Sequence, residues 1–224
     1  MASLENYFKD WLKVIPINEL NKILTILGKM YRSIPICPNQ VDVFKAFELC
    51  NYNDCKVIFL SQDPYPQKNV ATGILFGNSY DTKEEDLSPS LKIVRDAAIN
   101  LHISHYSITF DQTLESWCKQ GILMLNSALT CEMNKVGSHT MLWRPFISKL
   151  LQNYSIINPG TVYVLFGRTA QTFKPYIKNG TIIEVEHPAY FARTGKEMPV
   201  EVFQEVNRQL KFKYNTTIEW YKEI

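Results

Sequence analysis

Four short β-rich runs, each stopping on a polar residue or a glycine, divide this chain. Val57-Ile58-Phe59-Leu60, Ile122-Leu123-Met124-Leu125 and Val162-Tyr163-Val164-Leu165-Phe166 show no polar alternation, and residues 181–186 make a fourth run. Short runs of this kind read as strands buried on both faces, and such strands belong to parallel sheets. Outside them the period becomes helical. Leu20, Ile23, Leu24 and Leu27 recur on one face while Lys22, Lys29 and Arg32 stay polar. This predicts a helix over 17–31, preceded by another over 2–13, with Pro16 as the break. Further helices are predicted from Ser88-Pro89-Ser90 to about residue 100, over 114–120 up to Gly121, and over 143–154, 169–176 and 198–212. A shorter one is predicted around Val43 to Leu49, and Ile218, Trp220 and Tyr221 in the tail are expected to pack back on the body. Strands alternating with helices imply an α/β fold with a parallel sheet covered on both faces.

The 224 residues suit a single domain spanning 1–224, and a hydrophobic fraction of 46% is ordinary for a globular chain. A net charge of +2 neither demands nucleic acid nor forbids it, since a basic patch can sit on a near-neutral protein. Cysteines stand at 37, 50, 55, 118 and 131, an odd number with no C-x-x-C pair. That argues against a disulfide framework or a structural zinc site and favours buried free thiols in a reducing compartment. His102 and His105 have no third ligand in an obvious pattern and read as surface histidines. The N-terminus carries Glu5, Tyr7, Phe8 and Asp10, unlike a signal or transit peptide, and no apolar run approaches the ~18 residues of a membrane span. An intracellular location is expected, cytoplasmic or, in a eukaryotic host, nuclear.

Candidate chemistry follows directly after the strands. The first run leads into Ser61-Gln62-Asp63-Pro64-Tyr65-Pro66, where two prolines restrict the backbone around an acid and a tyrosine. The second ends at Asn126, the third at Gly167-Arg168, and the fourth at His187-Pro188. In open parallel sheets the ligand site lies outside the carboxyl ends of the strands. An acid, an amide and an imidazole are therefore expected to meet in one crevice, as convergent polar groups do at functional sites.

These motifs, in order, resemble the family 1 uracil-DNA glycosylases. Gln62-Asp63-Pro64-Tyr65 is similar to that family's water-activating loop, and Phe76, thirteen residues after Asp63, to its base-stacking phenylalanine. Ser88-Pro89-Ser90-Leu91 resembles its proline-rich phosphate-contacting loop, and Leu125-Asn126-Ser127-Ala128-Leu129-Thr130 its uracil-reading segment. Trp117 to Gly121, Ser138-His139 with Trp143, and His187-Pro188 at the start of the minor-groove loop also agree. The agreement runs from about residue 56 to 191, with a similar tail at Ile218 and Trp220.

The resemblance implies a four-stranded parallel sheet in an α/β/α sandwich, hydrolysis of the N-glycosidic bond of uracil in DNA, and no metal or organic cofactor. It implies Asp63 and His187 as catalytic residues and Gln62, Tyr65, Phe76 and Asn126 as uracil-binding. It extends a DNA-binding surface over Ser88, Pro89, Ser90, Gly167, Arg168, Pro188, Ala189, Tyr190, Phe191 and Arg193. The partner is expected to be uracil-containing DNA, single- or double-stranded, with a monomeric enzyme and room for a proteinaceous inhibitor or a replication partner. The chemistry suits these residues. A base inside a duplex must be flipped out to be reached. Asp63 suits a cation-like sugar and its attacking water, and His187 can donate to uracil O2 as charge develops there. Asn126 offers a donor and an acceptor to O4 and N3–H, Phe76 a stacking face, and Tyr65 a wall against the C5 methyl of thymine.

The chain also departs from the family. Pro66 stands where many members carry a histidine, although some viral members have proline there, and Ser61 replaces the usual glycine. Ala189 stands where a serine contacts phosphate, and Arg168 or Arg193 can offset that loss electrostatically. Phe191, with Tyr190 as its rival, stands where an apolar side chain wedges into the duplex. Pro66 and Ala189 leave an alternative, a DNA-binding or replication-complex subunit in which catalysis is weak or dispensable. A different α/β hydrolase ranks last, because G-x-S-x-G, P-loop and G-x-G-x-x-G motifs are all missing.

Overall fold

The computed structural model describes residues 4–99 and 107–224. The four apolar runs form one parallel sheet, made of β1 (Val57–Ser61), β2 (Ile122–Asn126), β3 (Val162–Phe166) and β4 (Thr181–Val185) in the order β2-β1-β3-β4. β1, β2 and β3 are buried along their whole length, which is why none shows polar alternation; β4 is the half-exposed edge strand. The register sets Val57 beside Ile122 and Val162, and Val162 beside Thr181, so the carboxyl ends of all four strands lie along one edge of the sheet.

Helices α1 (Ile17–Met30), α2 (Pro89–Ile99), α3 (Thr140–Ile157), α4 (Pro188–Thr194) and α5 (Glu201–Tyr214) are the longer ones. α1 buries Leu20, Ile23 and Leu27, as its spacing predicts, and packs against α3. Aromatic side chains fill much of the core. Phe59 of β1 lies against Phe166, Trp117 and Trp220, and Trp117 Nε1–H donates to the Trp220 carbonyl at 3.1 Å. The tail thus packs back as expected, with Ile218 and Trp220 buried. A second aromatic cluster joins Trp11 to Phe47, Tyr52 and Tyr154. All five cysteines are free and buried. No helix among the described residues is long and apolar enough to cross a membrane.

Three local expectations change. The stretch at 169–176 is a short helix, Gly167–Gln171, followed by a 3-10 turn at Lys174–Tyr176 that contains Pro175, where no backbone N–H is available to continue α-helical bonding. The helix expected over 143–154 runs further, from Thr140 to Ile157, with Pro145 inside it. After His187 the chain forms helix α4 at once: Pro188 opens it at the first position and Gly195, at φ +65°, follows its end. His102 and His105 lie outside the described residues.

Candidate active site

The sheet register brings the first two site segments together. Ser61 pairs with Asn126 at the ends of β1 and β2. The pairing continues past the strands, since Ser127 N–H donates to the Ser61 carbonyl at 2.8 Å and Ala128 N–H to the Gln62 carbonyl at 3.0 Å. Ser127 Oγ donates to the same Gln62 carbonyl at 3.0 Å. Asp63 and Asn126 therefore leave the sheet side by side, on backbones tied to each other.

Asp63 is held by one oxygen and unpaired at the other. Its Oδ2 accepts from the Gly137 N–H at 2.7 Å, while Oδ1 is buried with no partner. Burial pushes the Asp63 carboxyl above the ordinary carboxylate range, and the Gly137 N–H, with the neighbouring Gln62 side chain, pulls it partly back. The loop carrying Gly137 is pinned to the same segment from its other side, where Asn134 N–H donates to the Pro66 carbonyl at 2.9 Å. Asn126 is 8% exposed, and its Oδ1 is also buried without a partner. A buried acceptor left unpaired costs about 1–3 kcal/mol, a cost that a ligand with a matching donor removes.

Tyr65 and Phe76 form one wall. Tyr65 O–H donates to the Phe76 carbonyl at 3.0 Å, and Phe76 sits at φ +62°, a conformation that a bulky residue adopts only under constraint. The Phe76 ring meets Phe166 edge-on at 5.2 Å and His187 at 5.8 Å. His187 reaches this position because residue 167 is a glycine. At φ +80°, a Cβ on Gly167 would lie 2.8 Å from the His187 Cβ. Ala189 N–H donates to His187 Nδ1 at 3.0 Å, so the neutral ring carries its proton on Nε2. Burial, and then the positive charge of Arg193, lowers the His187 pKa to about 4.

Gln62, Asp63, Tyr65, Phe76, Asn126 and His187, the sequence candidates for catalysis and base binding, all line a single cavity of about 360 Å³. Of the proposed DNA contacts, Ser90, Ala189 and Arg193 also line it. Pro89 and Arg168 are exposed and Tyr190 is half-buried outside it. Ser88 is turned inward, its hydroxyl accepting from Asn78 Nδ2 at 2.9 Å, and Gly167 and Pro188 are buried. Phe191 is corrected most plainly. It is 7% exposed, because α4 turns it into the core, and its neighbour Tyr190 is the more accessible ring. The sequence reading missed Gly137, whose backbone N–H orients Asp63, and Val136, Ala71 and Ile74 in the cavity wall. A backbone donor leaves no signal in residue type. The motif Ser138-His139 with Trp143 is structural here. Trp143 Nε1–H donates to Thr130 Oγ1 at 2.8 Å, and His139 Nδ1 meets the same hydroxyl at 2.8 Å. No group of three or more metal-binding side chains is clustered among the described residues.

A family model described as the uracil DNA glycosylase superfamily matches residues 47–211, which contain every residue of the cavity. The chain belongs to that superfamily. Uracil-DNA glycosylases of Campylobacter jejuni and Buchnera aphidicola are 32% and 33% identical to it, over 94% and 97% of this chain and 92% and 93% of theirs. Among solved structures, the mimivirus uracil-DNA glycosylase superposes with a TM-score of 0.75 at 19% identity, covering 97% of this chain and 91% of the other. Its Y322L variant, crystallised in complex with UGI, superposes at 0.81 with 21% identity, over 96% and 87% of the two chains. The superfamily's sheet is thus present here, and the expected fold class is borne out.

Proposed function

We propose that this chain removes uracil from DNA by hydrolysing the bond between the base and its deoxyribose, with Asp63, His187 and Asn126 as the working groups. The observation that carries the proposal is the pair of buried, unpartnered acceptors, Asp63 Oδ1 and Asn126 Oδ1, in one cavity with a neutral His187.

A flipped uracil stacks on Phe76, a contact worth about 1–3 kcal/mol for other base–aromatic pairs. Asn126 Oδ1 accepts from uracil N3–H and its Nδ2 donates to O4. Cytosine, with no hydrogen on N3 and an amino group at position 4, leaves both unpaired. Tyr65 occupies the side where thymine carries its methyl group. As the bond from C1′ to N1 breaks, its electron pair passes to the base and the sugar becomes cation-like. Asp63 faces that positive charge and takes a proton from the water whose oxygen bonds to C1′. His187 Nε2–H donates to O2 of the departing anion, which later takes a proton from solvent. Removing one such donor costs about 10²–10³ in rate. A neutral imidazole suits this task, because a hydrogen bond to the developing anion needs no proton transfer.

Around the cavity, Arg193 at the rim and the exposed Arg168 take the role of phosphate contacts, and Tyr190, more accessible than Phe191, that of the wedge. UGI, present in the mimivirus complexes, would meet the same rim. A protein in which catalysis is dispensable has no need to keep a desolvated carboxylate with one free oxygen. The test incubates the chain with a uracil-containing oligonucleotide and cleaves abasic sites with alkali. Strand cleavage is expected, reduced by about 10² or more in Asp63→Asn. Tight binding without cleavage would support the non-catalytic reading instead.

A further inference from the structure

Beside the uracil cavity lies a second one of about 270 Å³, and the two share Ala71 in their walls. We infer that this second cavity receives the base of a nucleotide next to the uracil on the same strand. The inference rests on the uracil-excision reading and adds a subsite to it.

Its chemistry suits a nucleobase. Tyr31, Pro38 and Met133 supply an apolar wall, while Asn39, Asn69 and Lys68 carry polar groups on the lining. The Tyr31 hydroxyl is already engaged, donating to the Pro38 carbonyl at 3.0 Å, so the ring is fixed in place and stacking is the contact assigned to it. Rigid apolar surfaces with a few amides around them are what base recognition on single strands uses, stacking first and edge hydrogen bonds second. No Asp or Glu lines the cavity, and Lys68 has no ion pair or side-chain hydrogen bond among the described residues. An unpaired cation there suits the phosphate that joins the two nucleotides.

Position supports the same occupant. The segment from Pro66 through Lys68 and Asn69 to Ala71 runs from the Asp63 loop into the second cavity, and it borders both. Cys37, which lines the second cavity, donates from Sγ to the Pro66 and Gln67 carbonyls at 3.5 Å, so the wall between the two is tied to the loop that carries Asp63. Once uracil is flipped, its neighbours on the strand lose a stacking partner. A second aromatic-walled cavity one wall away offers one of them a replacement.

The experiment compares three single-stranded oligonucleotides under steady-state conditions. One has purines on both sides of uracil, one has a tetrahydrofuran abasic residue on the 5′ side, and one has it on the 3′ side. Loss of the base from one flank is expected to lower kcat/KM about tenfold, within the range of single base–aromatic contacts. Tyr31→Ala should act on all three at similar rates, whereas Tyr31→Phe, which keeps the ring, should retain the difference. As a direct readout, 2-aminopurine at the sensitive flank should be quenched on binding to the wild-type chain and less so on binding to Tyr31→Ala. Lys68→Ala should raise KM with little change in kcat. Equal rates on all three oligonucleotides with the wild-type chain, or full flank dependence retained in Tyr31→Ala, would overturn the subsite while leaving uracil excision standing. Failure to release uracil from any of them would instead overturn the excision reading, and the 2-aminopurine signal would still decide the subsite.

Discussion

The Ala189 N–H donates to His187 Nδ1 at 3.0 Å, and this one bond sets the protonation of the imidazole. With Nδ1 an acceptor, the single ring proton stands on Nε2, where it can be donated to a base in the cavity. Burial and Arg193 lower the His187 pKa to about 4, so the ring is neutral at physiological pH. Nitrogen NMR of the imidazole should find the Nε2–H tautomer, unchanged between about pH 6 and 8.

Two consequences for pH follow. The acid limb of kcat/KM should belong to Asp63, whose carboxyl burial raises above its ordinary range, and a pH profile of Asp63→Asn should lose that limb. Stability should fall as pH drops from about 6.5 to about 4. In that window the unfolded chain protonates the histidine while the folded chain does not, so the unfolded state binds more protons. His187→Gln should flatten this part of a denaturation series.

Asp63→Asn should separate activity from stability. A carboxyl whose folded pKa lies above its unfolded value is destabilising once ionised, because the unfolded chain holds the charge more easily. The amide removes that charge and can still accept from Gly137 N–H. Rate should fall by about 10² or more while Tm stays level or rises, as thermal melts beside single-turnover rates would measure.

Base selectivity should rest on two side chains that do not touch the reacting bond. Asn126→Asp should gain activity on cytosine, whose amino group can donate to the new carboxylate, and lose most activity on uracil. Tyr65→Ala opens the wall beside C5 and should admit thymine. It also removes the hydroxyl bonded to the Phe76 carbonyl, so a loss of about 1 kcal/mol or more in stability should accompany the change.

Gly167→Ala should lower kcat although residue 167 lacks a functional group. A Cβ there would lie 2.8 Å from the His187 Cβ, and φ is +80°, so either the strand end or the imidazole must shift. A shift of the imidazole would show as a drop in kcat larger than the change in KM.

The sheet was legible because its strands are short, apolar and flanked by turn chemistry. The buried runs at 57–60, 122–125 and 162–166 needed no tertiary context to be read. Asp63, Asn126 and His187 were legible as polar residues directly after strands, since strand-end placement in a parallel sheet carries spatial meaning. Phe191 was not. Residues 188–194 can be read as loop or helix, and only the packing of α4 against α2 decides that Phe191 turns inward. Ser88 is turned inward for a similar reason, its hydroxyl accepting from Asn78, ten residues earlier. Gly137 could not be found at all, because it contributes a backbone N–H that any residue except proline has.

The most direct measurement is single-turnover release of free base from three single-stranded oligonucleotides that differ only in carrying uracil, thymine or cytosine at one position. A cavity that reads N3–H and O4 through Asn126 and excludes a C5 methyl through Tyr65 should release uracil and leave thymine and cytosine in place. Release of thymine or cytosine at rates comparable to uracil, or release of no base from any of the three, would contradict it.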